Sequence, residues 1–195
     1  MSVLKLNKNL EAYLDKKLKD NPIVKAAVAK PTVLGARQIV CEAAKAMVGF
    51  KEKTGKNDGE QIVWVQDTYG NSVGEPYCIS GVMTCVAYAA LKTGLSHKLF
   101  ETESSSALWD KTPKGQRVKK VALAGAIAVW QDINSKGQRK GTGHGEIVLS
   151  DDGIVFHCVG FNTSGTTKPG QTVNREGNGV YYTVRSRKNT KARIF

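Results

Sequence analysis

The chain has 195 residues, enough for one domain with a sizeable core and too few for two ordinary ones. Twenty-nine Lys and Arg against seventeen Asp and Glu give a formal charge of +12, which favours a polyanionic partner such as nucleic acid, anionic lipid or anionic cell-wall polymer. No run approaches the roughly 20 apolar residues of a membrane span, the start Met1-Ser2-Val3-Leu4-Lys5-Leu6-Asn7-Lys8 has no apolar signal core, and the four cysteines form no C-x-x-C pair. A soluble chain made in a reducing compartment, without a secretory signal or zinc ribbon, is therefore expected.

Residues 1–31 are rich in Lys and carry Leu4, Leu6, Leu10, Leu14 and Leu18 at helical spacing up to Lys30-Pro31. They read as a basic amphipathic arm, either separate from the domain at 32–195 or packed on it. A helix is predicted from about Thr32 to Met47, with Ile39, Val40, Ala43 and Ala44 on one side and Gly49 at its end. Lys51 to Glu60 reads as a polar loop. Gln61-Ile62-Val63-Trp64-Val65-Gln66 fits either a helix or a strand, with helix favoured.

Gly70 to Pro76 is a loop, and an apolar helix follows to about Leu91, with Gly94 as its C-cap. Cys78 stands at the mouth of that helix, where free N–H groups and the positive dipole end favour a thiolate. An inert core thiol is the competing reading. Cys85 lies two turns on, about 10 Å away by helical rise, too far for a disulfide. Residues 101–120 read as a second polar stretch.

From Val121 the period becomes that of strands, at 126–130, 145–149, 154–159 and 179–184, with Asp151-Asp152-Gly153 as a hairpin turn. Helices first and an antiparallel sheet afterwards predict an α+β domain. Of the three histidines, His97 reads as a solvated loop residue and His157 as a packed strand residue. His144, between glycines at a strand mouth, is where a general base would be held. The hairpin returns the third strand beside it, making Asn162 a candidate to orient the imidazole, against the reading of an ordinary turn asparagine. Basic residues crowd 111–140, and Lys136, Arg139 and Lys140 just ahead of His144 form a candidate substrate-side loop, against the reading of a solvated face.

The ordered set Gly74-Glu75-Pro76-Tyr77-Cys78 opening a helix, Gly125 to Trp130 before a loop, Gly143-His144-Gly145-Glu146-Ile147-Val148 opening a strand, and Asn162-Thr163-Ser164 after the next resembles the CHAP branch of the NlpC/P60-like, papain-type cysteine peptidases, over about residues 34–186. The resemblance implies a papain-like fold, with the nucleophile helix packed on a C-terminal antiparallel sheet. It implies a peptidoglycan amidase or endopeptidase, as in phage endolysins, with Cys78 as nucleophile, His144 as base and Asn162 as third polar residue; the sequence carries no evidence for a metal, and no cofactor is expected.

Many members carry an acid two positions before the asparagine, where this chain has Gly160, and the family's common Trp before the cysteine is Tyr77 here. Glu146 and His157 are the remaining helpers for the imidazole. Glu75, Tyr77, Trp130 and Lys140 are candidate substrate contacts, and the Cys78 N–H, Gln66 and Asn71 candidate oxyanion donors. A monomer that reaches the wall through a holin-type partner fits this reading. The rivals are a papain-like deamidase or toxin effector, and a basic nucleic-acid-binding protein, for which no recognition motif is present.

Overall fold

The computed structural model describes residues 6–116, 118, 121–165 and 177–187, together with the backbone of 192–194. The architecture is mixed α+β, with helices first and an antiparallel sheet after them. Two short helices, α1 (Lys8–Leu18) and α2 (Pro22–Ala29), form the arm, each opened by an asparagine side chain that accepts backbone N–H groups. Leu10, Leu14 and Leu18 are buried in the same core as Ile39, Ile79 and Val159, so the arm is part of the packed body. Burial of each leucine is worth about 1.5–3 kcal/mol. Leu4 lies outside the described residues.

Helix α3 (Val33–Ala46) and helix α4 (Glu60–Asp67) match the expected segments, the second resolving the helix-or-strand ambiguity at 61–66. Helix α5 (Cys78–Thr93) runs from Cys78 to a left-handed Gly94 cap. Inside the stretch read as polar, α6 (Ser105–Lys111) forms behind the Ser104 side chain, which accepts the Ala107 N–H. Ser104 ahead of Ala107-Leu108-Trp109 was the available signal.

Strands β1 (Ile127–Ile133), β2 (Arg139–Asp151), β3 (Val155–Thr163), β4 (Gly179–Ser186) and β5 (Ala192–Ile194) form one sheet in the order β4-β3-β2-β1-β5. The turn at Asp151-Asp152-Gly153 joins β2 to β3, and β3 starts one residue later than its pattern suggests, leaving Ile154 in the turn at 70% exposure. Val129, Ile147, Val159 and Phe161 pack with the helices, while Ala126, Ala128, Trp130, Val148, Phe156 and Cys158 form a smaller cluster of their own.

His157 corrects its sequence reading. It is exposed between buried Phe156 and Cys158, because the strand alternates there instead of being covered on both sides. His97 is also not a solvated residue: its side chain is 19% exposed and lies 3.7 Å from Glu101. Two glycines set how closely α5 approaches the sheet. A Cβ at Gly81 would lie 2.2 Å from the Phe161 ring, and one at Gly145 would lie 2.5 Å from Ile79 Cδ1. No described helix is long and apolar enough to cross a membrane.

Candidate active site

Pro76 ends the loop before α5, and Tyr77 occupies the cap position without a capping side-chain hydrogen bond. The first N–H groups of the helix are thus left for other acceptors. Cys78 is 7% exposed and receives the backbone N–H groups of Ile79 and Gly145. The close approach allowed by Gly145 brings β2 to the helix mouth, and His144 with it.

Burial alone would raise the Cys78 thiol, but its hydrogen bond to His144, the imidazolium charge and those two N–H groups outweigh burial and lower it. Burial likewise opposes the charged form of His144. Its hydrogen bonds to Cys78 and Glu146 and their charges nonetheless lift it to about 9. Each member of the pair thus favours the charged form of the other. The other thiols behave in the opposite way: burial pushes Cys41 up to about 11 and Cys85 and Cys158 well above their usual range. All four cysteines are free.

His144 Nε2 lies 3.1 Å from Glu146 Oε1, both side chains being buried. With Nε2 engaged by Glu146, Nδ1 is buried without a hydrogen-bond partner among the described residues, which leaves it as the ring nitrogen available to the thiol. The Glu146 carboxylate also accepts from Thr183 Oγ1 at 2.6 Å and from Arg185, whose Nε lies 3.0 and 3.2 Å from its two oxygens and whose second guanidinium nitrogen also donates to it. Arg185 extends to Thr163 Oγ1 at 3.2 Å. Against the burial penalty, His144 and Arg185 hold the Glu146 carboxyl down at about 2.

Asn162 is not on the histidine. A register shift between Gly160 and Thr163 places it in a bulge with φ of 52°, which re-aims its side chain, and its Nδ2 donates to Asn57 Oδ1. Asn57, at φ of 53°, is the other non-glycine residue with positive φ among those described. The Asn57 N–H donates to Glu52 Oε2 at 3.0 Å, Tyr77 donates its hydroxyl to Glu52 Oε1 at 3.1 Å, and the Asn162 N–H returns to the Tyr77 oxygen. This closed ring ties the 51–58 loop to the helix mouth and to the end of β3.

The candidate substrate contacts separate into buried and exposed sets. Tyr77 is fully buried and Trp130 is 4% exposed, its ring centroid 6.3 Å from that of His144, so both underlie the site instead of lining an open cleft. Glu75 and Lys140 are exposed, and Glu75 accepts the Ser72 N–H within its own turn. Arg139 is held by Asp110 through two bonds of 2.7 and 3.1 Å, and Lys136 and Lys140 are exposed beside it on that hairpin; Arg117, Lys119 and Lys120 lie outside the described residues.

Gln66 Nε2 donates to the carbonyls of Asn57 and Glu75, which uses both its protons and removes it as an oxyanion donor. Asn71 accepts from Ser80 Oγ in the first turn of α5 and keeps its amide nitrogen for donation. Among the described residues no group of three or more His, Cys, Asp or Glu is placed to hold a metal.

Searches against family models, curated proteins and solved structures return no match to this chain. Of the two remaining helpers, Glu146 is the one that meets His144. Its signal was the His144-x-Glu146 spacing, which puts two side chains on one strand face.

Proposed function

We propose that this protein is a papain-type, CHAP-like cysteine hydrolase that cleaves an amide bond of peptidoglycan, as an N-acetylmuramoyl-L-alanine amidase or a stem or cross-bridge endopeptidase. The observation that carries the reading is the buried Cys78–His144 pair at an uncapped helix mouth, in a chain whose other three thiols are all pushed up. The motif order described above and the net charge of +12 support a polyanionic wall as the substrate.

In the proposed reaction the Cys78 thiolate attacks the amide carbonyl, forming a carbon–sulfur bond. The oxyanion is met by the helix-mouth N–H of Cys78, with the Asn71 amide as candidate second donor. His144 gives its Nδ1 proton to the departing amine as the carbon–nitrogen bond breaks. Water then enters and His144 takes one of its protons; the carbon–sulfur bond breaks to return the thiolate, and the carboxylic acid released loses the second proton to solvent. An endolysin-like role, with release to the wall through a holin-type partner, is the setting proposed for it.

Turbidity of a peptidoglycan suspension tests the proposal. The purified protein is expected to clear it, and Cys78→Ala and His144→Ala to lose roughly 10⁴-fold or more in rate. Clearing by either variant at the wild-type rate would sink the assignment. Mass spectrometry of the released fragments identifies the amide that was opened.

A further inference from the structure

We infer that Glu146 is the residue that positions His144, reaching from β2 into the space left by Gly160 on β3, with Arg185 and Thr183 fixing its carboxylate. This rests on the Cys78–His144 reading but not on the identity of the substrate.

The ladder geometry carries the argument. Glu146 and Gly160 stand directly opposite each other in the β2–β3 pairing. A Cβ at Gly160 would lie 2.7 Å from Glu146 Oε1 and 3.0 Å from its Cδ, so any side chain there would displace the carboxylate. Glycine inside a strand is unfavourable unless something needs the room. Here the room is filled by the group bonded to His144 Nε2. The two positions are thus alternatives for one carboxylate, since cross-strand and diagonal neighbours share the same reach.

Asn162 donates to Asn57, and among the described residues Glu146 is the group hydrogen-bonded to Nε2. The charged and titratable groups around the imidazole are Cys78 from α5, Glu146 from its own strand, Cys158 from β3 through its contact with Glu146, and Arg185 from β4. The carboxylate is flanked by the guanidinium on one side and the imidazole on the other, so the buried negative charge is paired and hydrogen-bonded. An ionised carboxylate only accepts hydrogen bonds. It therefore fixes the proton on Nε2 and leaves Nδ1 to exchange protons with sulfur and with the leaving amine.

Two measurements test this. Nitrogen-15 NMR of the wild-type histidines, followed through alkaline pH, should show neutral His144 with its proton on Nε2; a neutral ring protonated on Nδ1 would overturn the inference without any variant. The second measurement is the pH profile of Cys78 alkylation by iodoacetamide, with Cys78→Ala as the blank. Glu146→Gln should slow alkylation at pH 6 by roughly 10²-fold, within the range for losing an acid–base partner, and move its acid limb toward the free-thiol value of about 8.5.

The exchange variant Glu146→Ala with Gly160→Glu should restore both rate and limb, a recovery that a merely structural role for Glu146 does not give. A folded Glu146→Gln with the wild-type profile would overturn the proposal, as would a folded exchange variant left at the free-thiol limb. Alkylation and tautomer as expected in a protein that does not clear peptidoglycan would refute the substrate and leave this inference standing.

Discussion

Two buried polar networks flank the mouth of α5, and they are built on different principles. On one side, His144, Glu146 and Arg185 form a charged chain ending at the Cys78 thiol. On the other, Glu52, Tyr77, Asn57 and Asn162 close a ring in which one carboxylate receives a phenol and an amide, and the asparagines bond each other. The charged chain biases the ionisation of the Cys78 thiol. The ring moves no proton on or off the thiol; it holds the 51–58 loop ahead of α4 and the bulge that ends β3 in left-handed backbone at Asn57 and Asn162. Residues that set ionisation and residues that set shape are thus distinct here, although Glu146 from one set and Asn162 from the other both read as candidate partners of the imidazole in the sequence.

Removing one member separates the two most strongly. Arg185→Met strands the buried Glu146 charge and is expected to cost about 3–5 kcal/mol in urea unfolding. The double variant Arg185→Met with Glu146→Gln should recover a large part of that, because no net charge is then left buried. A single variant as stable as the wild type would show that the charged chain is not held in the way described.

Acid discriminates next. Glu146 has a folded value lowered from 4.5 to about 2, so its stabilisation is present above about 4.5 and is lost as pH falls through about 2. His144 is raised from 6.5 to about 9, so its share is present below about 6.5 and is lost as pH rises through about 9. Denaturant midpoints measured against pH should show both limbs in the wild type, and Glu146→Gln should lose the acid one. A variant keeping the full acid limb would place it on other carboxylates.

The smallest effect is expected in the ring. Asn162→Ala loses the bond to Asn57 and puts alanine at positive φ, for a cost of about 1–3 kcal/mol. Asn162→Gly keeps the backbone at ease and should cost less. Both should leave the acid limb of Cys78 alkylation in place; a shift of that limb would return Asn162 to the histidine and dissolve the distinction between the networks.

Apolar runs located α3, α5 and β1 to β4, because the residues that pack on neighbours recur along each, α5 and the centres of β1 to β3 being buried on nearly every side. The helix-mouth thiol and the glycine-flanked histidine were legible for the same reason, as local features of the chain. Asn162 was misplaced because a bulge, invisible in the strand pattern, rotated it by one position. Arg185 carried no signal, since a lone arginine near the end of a strand reads as solvent-facing until β4 is paired beside β3.

By itself the sequence determined the α+β order of elements, the absence of C-x-x-C pairs and the local chemistry of Cys78 and His144, all of which depend on neighbours within a few residues. Tertiary structure alone decided which carboxylate meets the imidazole. That choice depends on strand register and on the space a missing side chain leaves across the ladder, where Gly160 opposite Glu146 supplies the room.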